Sequence, residues 1–582
     1  MILRLCVVCL CVSAVAHSAR SDVLHVDASA GPGGDGSNWV QAFDSLTDAL
    51  AVAQPFDQIW ITAGVYVPDS PGGRDATFTI PDGVAVFGGF VGDEDVLAQR
   101  PSDPLADPTV LSGGRLDPWS VVTMPNVGMA TTLDGLIVNG GRADGTGPLN
   151  RRNGGGVFAI ESTPTFRNVV FSRGFATEFG GGLYVNSSST VGVVTIEDCA
   201  FGGCEAGTGG GMASLTAVNV RRSDFAGNSA QSRGGGAAVF GDRRVTIEDS
   251  VFEENTALGT SGGGLVVEMT GSAAEVVVTR SVFDRNTARF SGGGLLVAGE
   301  GDVVMRESRI SRNTLDPAGS SIGGGAIVGM DTGSSFWMEN CLVAGNFAQS
   351  GSGGLAFSGD TSAFVLNTTV VGNRTLGIVA GLSALGGDLV VSNSIIWDNI
   401  AEQPSSPTRS ISIGGSASNA NGFVENSLVE FWFDGSGPLA GSAVTDADPM
   451  MIDADGPDNT FGSDDDNVRL MPGSPAIDTG NQASASVLSG FDYYGDFRFR
   501  DDTGTPGIAP GLIIDIGAAE FQGTSPPPCL ADTNGDGVLT PGDFNAWILA
   551  FNNQSPACDQ NGDGACTPGD FNAWILNFNA GC

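Results

Sequence analysis

Apolar and polar side chains alternate with a period of two through the middle of this chain, in short runs such as Val245-Thr246-Ile247-Glu248, the pattern of a strand with one buried face. The runs are punctuated by three glycines followed by an apolar residue, at Gly154, Gly180, Gly209, Gly234, Gly262, Gly292 and Gly323, with a weaker Ser352-Gly353-Gly354 after them. The steps between them are 26, 29, 25, 28, 30, 31 and 29 residues. Such a repeat, with β-type alternation and Gly or Asn at the corners, predicts an all-β solenoid. It is a parallel β-helix whose coils bury their apolar side chains only by stacking on neighbours.

Coils stack about 4.8 Å apart, so residues at one coil position must tolerate each other. One column runs Phe171, Phe201, Phe225, Phe252, Phe283, Ile310, Val343, Val370, Ile396, an apolar ladder for the interior. Three residues further on, Asn228, Asn255, Asn286, Asn313, Asn346, Asn373 and Asn399 form a second column. Asn tolerates left-handed backbone, and stacked amides can satisfy one another at a tight corner. Two charged columns alternate in sign, Arg222, Asp249, Arg280, Glu307 and Arg221, Glu248, Thr279, Arg306, Glu339. They predict cross-coil ion pairs on an exposed face, each contributing about 0–1 kcal/mol and opposing register slips.

Helical patterning is confined to three places. Asp44 to Ala53 is amphipathic and is expected to cap the exposed strand edges at the front of the solenoid. Gln58 to Val67 and Gly83 to Phe90 then read as the first irregular coils. Near the C-terminus, Phe544 to Leu549 and Phe571 to Leu576 carry Phe, Trp and Ile or Leu at helical spacing. Between array and tail, residues 444–521 are rich in Asp and Pro and are expected to close the far end of the solenoid.

The start of the chain sets the expected compartment. Met1-Ile2-Leu3-Arg4, the apolar run Leu5 to Val15 and Ala14-Val15-Ala16 form a secretory signal over residues 1–16. No later stretch approaches the roughly 20 apolar residues of a spanning helix. A soluble, extracellular or cell-surface protein is expected.

All 26 basic residues are Arg, His17 and His25 are the only histidines, and net charge is -39. Such a surface repels phosphate backbones, so nucleic acid is excluded as a partner, while divalent cations are favoured. The missing Lys rules out a Lys-containing phosphate loop and Schiff-base chemistry. Gly259-Thr260-Ser261-Gly262-Gly263 and Gly319-Ser320-Ser321-Ile322-Gly323 match the nucleophile-elbow string, yet both sit in repeated Gly turns without a His partner. Cys199 and Cys341 are too far apart to bridge and read as buried thiols, with a local Cys199–Cys204 link left open. Cys529, Cys558, Cys566 and Cys582 crowd the tail, where two disulfides admit three connectivities.

The tail carries the strongest chemistry. Two near-copies offset by 27 residues open at Asp532 and Asp559. The first twelve-residue loop places oxygens at positions 1, 3, 5, 9 and 12 as Asp532, Asn534, Asp536, Thr540 and Asp543, with the Val538 carbonyl at 7. The second supplies Asp559, Asn561, Asp563, Ala565, Thr567 and Asp570 in the same places. Two calcium ions are expected. The acidic run Asp446, Asp448, Asp453, Asp455, Asp458, Asp464, Asp465, Asp466 is a further calcium candidate, spanning Asp453 to Asp466.

Loop plus exiting helix, duplicated, with Asp at position 12, resembles a dockerin, a paired half EF-hand domain, over residues 529–582. The resemblance implies a cohesin-like or other surface receptor. Pro541-Gly542 and Pro568-Gly569 stand where dockerins of cellulase complexes usually carry small hydroxyl residues.

The larger part of the chain resembles exported right-handed β-helix proteins with a variable C-terminal anchor, the choice-of-anchor proteins. The resemblance rests on Trp39, Ile59-Trp60-Ile61-Thr62-Ala63-Gly64-Val65-Tyr66, Phe87-Gly88-Gly89-Phe90, Asn393-Ser394-Ile395-Ile396-Trp397, Pro472-Gly473-Ser474-Pro475-Ala476-Ile477-Asp478 and Asp515-Ile516-Gly517-Ala518-Ala519-Glu520. It implies an extracellular setting and supplies no catalytic residues. Pectate lyases and polygalacturonases share this fold more distantly. The hydrolases' Gly-His-Gly turn and Arg-Ile-Lys string cannot occur in a chain without Lys or a histidine after His25.

The expected organisation is a signal (1–16), N-terminal cap and first coils (17–130), β-helix repeats (131–443), closing segment (444–521), linker (522–528) and dockerin-like domain (529–582). The favoured reading is a noncatalytic surface or matrix protein, glycan-binding or structural, that presents one face of a rigid β-helix and is tethered by its calcium-dependent tail. The alternative is a polysaccharide lyase or hydrolase delivered by the same tail.

Overall fold

In a computed structural model of the chain, the described residues are 22–68, 73–189, 192–316, 322–403, 409–413, 421–432, 439–481, 490–500, 513–523, 531, 533–534, 539–553, 555, 558–560 and 566–580. The expected signal lies outside them, as does the linker from residue 524 on.

One coil shows how sequence becomes architecture. After Gly234-Gly235-Gly236 come strands Ala237–Gly241, Val245–Glu248, Val251–Glu253 and Thr256–Ala257, and the next glycine triplet begins at Gly262. Each pairs in parallel with its counterpart one coil on, as in Phe252↔Phe283 and Ala257↔Ala288. The first glycine of each triplet is left-handed, with φ of 66° at Gly234 and 65° at Gly262. At the second, an added Cβ at Gly235 would lie 2.4 Å from the Gly263 carbonyl oxygen of the next coil. The triplets therefore reflect both backbone hand and the closeness of successive coils.

The predicted apolar ladder is present residue for residue and extends from Tyr66 to Val429. Phe171, Phe201, Phe225 and Phe252 stack with ring centroids 4.3, 4.4 and 4.6 Å apart. The Asn column is equally regular: Asn255 Nδ2 donates to Asn286 Oδ1 (3.0 Å) and to the Phe225 carbonyl (2.8 Å). The left-handed residue, however, is not the Asn but its predecessor, as at Glu254, Arg285 and Arg312 (φ 54, 51 and 50°). The corner turns its left-handed residue outward and keeps the Asn amide inside, where it donates to a carbonyl of the preceding coil and to the next Asn of the column.

A second corner follows the same logic. The charged column Arg222, Asp249, Arg280 and Glu307 occupies its left-handed position (φ 44–50°), and the next residue is a buried Ser or Cys. The alternating signs are used as expected. Arg280 Nε donates to Asp249 (2.7 Å), Arg221 pairs with Glu248 (2.9 Å) and Arg306 with Glu339 (2.8 Å).

Helix α1 (Leu46–Val52) is capped by Ser45 and buries Leu46, Ala49 and Leu50 in the same core as Val26 and Ile59. Residues 444–521 depart from expectation. Val444 and Thr445 still belong to the last parallel strand, Leu439–Thr445, and the described portions after it run back along one flank of the helix. Phe461 lies over Gly345 and Gly372, Asn340 Nδ2 donates to the Phe491 carbonyl, and Gly517 N donates to the Asn393 carbonyl. Leu342, Val371, Ile395 and Leu428 are apolar outward residues buried by this segment.

Candidate functional site

In the tail, helices α2 (Pro541–Asn552) and α3 (Gly569–Ala580) follow the two loops as predicted. Of the twelve expected ligand positions, Asn534, Thr540, Asp543, Asp559, Thr567 and Asp570 are described. Asp532, Asp536, Val538, Asn561, Asp563 and Ala565 lie outside the described residues.

Position 12 closes onto the N–H of the position-9 threonine in both copies, and onto position 3 in the first loop but position 2 in the second. Asp543 is fully buried, and its carboxylate accepts from Thr540 N (2.8 Å) and Asn534 N (3.3 Å). Asp570 accepts from Thr567 N (2.7 Å) and Gln560 N (2.9 Å). Each carboxylate thus ties the start of its loop to the helix N-terminus, where negative charge is also favoured by the dipole. The copies brace one another: Trp547 Nε1 donates to the Cys558 carbonyl (3.1 Å), and Trp574 Nε1 to Thr533 Oγ1 (3.2 Å). Cys558 and Cys566 form a disulfide, while Cys529 and Cys582 lie outside the described residues.

Of the acidic run, three members converge. One carboxylate oxygen each from Asp458, Asp465 and Asp466 lies within 4.8 Å of the others, and Ser463 Oγ is 3.0 Å from Asp466 Oδ1. Burial pushes the Asp466 carboxyl above its ordinary range. Asp464 turns away to pair with Arg309, which holds its carboxyl low, and Asp448 closes its own turn on Met450 N (2.8 Å).

Asp464 and Asp466 also border a cavity of about 420 Å³ between the flank segment and the coils. Arg280, Glu307, Arg309 and Leu342 form its floor, and Asp492, Tyr493 and Tyr494 its far wall. Burial pushes the Tyr493 phenol up to about 12. Arg469 lies over the Tyr494 ring, 3.6 Å from its centroid. Sequence reasoning missed this cavity. Its trace was the apolar character of Leu342-Val343-Ala344 and Ile395-Ile396-Trp397 on both faces, which only an outer covering explains.

Behind the wall lies a buried ionic knot that gives the Asp515 to Glu520 motif its meaning. Asp515 accepts from Asp478 N (2.7 Å) and Phe521 N (2.6 Å), Glu520 from Asp515 N (3.0 Å), and Asp492 from Glu520 N (2.8 Å). Arg498 is fully buried among them, 3.7 Å from Glu520. Desolvation pushes Asp515 up to about 7 and Glu520 well above its ordinary value.

The remaining candidates are structural. Ser261, centre of the first elbow string, pairs its hydroxyl with Ser291 one coil on (2.7 Å); Ser321, centre of the second, lies outside the described residues. Cys199, Cys204 and Cys341 are free and buried, with thiols pushed up to about 12 by desolvation. The Cys199–Cys204 link left open does not form, because the two occupy different corners. Cys204 stands at the head of the Asn column, its N–H donating to Asn228 Oδ1 (3.0 Å). His25 is packed between Trp39 and Trp60.

The family model for a right-handed β-helix region matches residues 150–313 and 266–437. The fold is thus a parallel β-helix solenoid, and residues 150–437 of it match a right-handed β-helix region. Among solved structures it is similar to pectate lyase Pel9A, with 13% identity, TM-score 0.38, and coverage of 86% of this chain and 96% of that one. It is also similar to the A-module of the Azotobacter vinelandii mannuronan C-5 epimerase AlgE6, with 14% identity, TM-score 0.32, and coverage of 69% and 93%. At these values nothing of their chemistry transfers to this chain. No match is found among curated proteins. Among the described residues, no helix is long and apolar enough to cross a membrane.

Proposed function

We propose that this is an exported, extracellular or cell-surface β-helix protein that binds glycans without cleaving them and is held in place by a calcium-dependent, dockerin-like tail. The observation that carries the reading is the duplicated loop closure, in which Asp543 and Asp570 clamp their loops through the N–H of the position-9 threonine. Carboxylate, amide, hydroxyl and carbonyl oxygens are the donors a hard cation takes. One calcium ion would sit in each loop, and a third on Asp458, Asp465 and Asp466. A cohesin-like or other surface receptor would take the tail.

The β-helix supports a noncatalytic role through what occupies its reactive groups: arginines pair across coils, described thiols are buried, and His25 is packed edge-on against two indoles. The flank cavity is the specific observation favouring the alternative, a polysaccharide lyase, because Arg309 and Tyr493 face one space there beside the acidic triad.

One experiment separates the readings. Neutral and uronic-acid glycans are scored for binding and for chain cleavage, with calcium and with chelator. Binding without cleavage is expected. Cleavage lost in Arg309→Ala would establish the enzyme, and binding to no glycan would overturn both readings of the helix.

A further inference from the structure

The outward column on the second strand of each coil changes character halfway along the helix. Thr195, Asn219 and Thr246 stand in register with Val277, Val304, Trp337, Phe364, Val390 and Phe423. The core does not require the change. Inward neighbours such as Val276, Met305, Phe336 and Val391 fill the interior, and the earlier coils close equally well under Thr and Asn. The result is an apolar ridge over six coils, about 24 Å long at one strand spacing per coil. Its members are partly exposed, Phe423 by 39%. Apolar continuity on a solvent-facing sheet marks a surface that meets a partner.

Relief along the ridge is uneven. Trp337 and Phe364 stack on each other at 4.1 Å. Beyond them Val390 leaves a notch, with Phe364 on one side and Phe423 on the other, two strand spacings or about 10 Å apart. A gap floored by a small side chain therefore separates two aromatic positions. Beside the ridge runs the column Asp302, Ser335, Ser362, Asp388 and Asn421, exposed or partly so. It offers hydroxyls, carboxylates and an amide and no basic group.

We infer that this ridge holds a linear, uncharged glycan, the aromatic faces meeting the CH faces of its sugars and the flanking column receiving their hydroxyls. An apolar strip with a few placed polar groups is the make-up of a ligand site. Charge decides the class: a carboxylate-bearing flank on a chain of net charge -39 repels polyanions and leaves neutral sugars unaffected. The inference rests on the glycan-binding reading above and adds to it a location and a sugar class.

The test uses the full-length protein in calcium, with cellohexaose and insoluble cellulose as neutral probes and oligogalacturonate as the acidic one, read by calorimetry, pull-down and tryptophan emission. Trp337→Thr with Phe364→Thr and Phe423→Thr copies the residue already present at Thr246 and is expected to weaken neutral-glycan binding at least tenfold. Val390→Arg, which fills the notch from an outward position, is a second variant expected to do the same. Circular dichroism and melting check that both fold. Unchanged neutral-glycan binding in two folded variants overturns the ridge while leaving the glycan-binding reading standing. Preference of the wild type for oligogalacturonate overturns the sugar class. Failure of the wild type to bind any probe overturns the glycan-binding reading itself. Self-association that disappears in the variants, without glycan binding, makes the ridge an interface between copies and refutes the inference.

Discussion

Asn286→Ala tests whether the Asn ladder holds the solenoid together or merely accompanies it. In the folded protein Asn286 is fully buried. Its Oδ1 accepts from Asn255 N and Asn255 Nδ2, both at 3.0 Å, and its Nδ2 donates to the Phe252 carbonyl at 2.8 Å and to Asn313 Oδ1 at 3.0 Å. Truncation leaves the Asn255 backbone N–H without its acceptor and one Asn255 amide hydrogen unpaired, in a place water does not reach. Each buried unsatisfied donor costs about 1–3 kcal/mol, so the loss should be about 2–6 kcal/mol.

Because coils interact only with their neighbours, the effect should also be local. Amide hydrogen exchange should accelerate in the coils containing Asn255, Asn286 and Asn313 and stay unchanged near Phe171. Thr287→Ala, one residue along on the outer side, should change stability by less than about 0.5 kcal/mol. A denaturation midpoint for Asn286→Ala within about 0.5 kcal/mol of the wild type would refute the argument, as would exchange that rises evenly along the helix.

Cys204→Asn should extend the ladder by one rung, since Cys204 N already donates to Asn228 Oδ1, raising stability by about 1 kcal/mol in the same denaturation assay. The knot around Arg498 predicts a pH dependence. Asp515, Glu520 and Asp492 have folded-state pKa values raised above their unfolded values, so the stability they contribute is greatest in acid and is lost as pH rises through about 7 for Asp515. Protection factors of residues 513–521, with intrinsic base-catalysed exchange divided out, should therefore fall as pH rises toward about 7, and Glu520→Gln should flatten that slope; an unchanged slope would contradict the assignment. Asp536→Ala with Asp563→Ala should abolish the calcium-induced emission change of Trp547 and Trp574 while the β-helix melts as before, and intact calcium binding would remove the ligand assignment. A chain ending at Gly523 should melt higher in calcium than in chelator, and identical curves would remove the Asp458, Asp465, Asp466 site.

What could be read from the sequence follows the repeat. The Phe and Asn columns were legible because each position is sampled once per coil, and an error in one coil would break register with the next. The ion pairs were legible because Arg222, Asp249 and Arg280 alternate in sign at fixed spacing. Left-handed backbone at Glu254 rather than Asn255 was not, since the corner's choice between adjacent residues depends on which side chain must point inward. The flank segment was illegible for a different reason. Arg309 meets Asp464 across 155 residues, and no period links them. The tail's ligand types were legible from spacing, whereas the backbone closure by Asp543 and Asp570 needed the fold to be seen.

Stacking also separates what the fold demands from what it leaves free. An inward position such as Phe252 must match Phe225 and Phe283 on either side, in volume and ring plane, so the interior changes slowly along the axis. An outward position next to it in the strand has only to tolerate its neighbours, and such a column can change character abruptly at no cost to the core. Two outward columns do so in the same half of the helix. On the third strand, Leu342, Thr369, Ile395 and Leu428 are covered by the flank segment, as Ala518 N on Thr369 Oγ1 shows. On the second, Trp337, Phe364 and Phe423 have no such cover among the described residues. The first change is explained within the chain. The second is the change on which the inferred glycan site rests, which is why the ridge rather than the interior is the place to test for what this protein recognises.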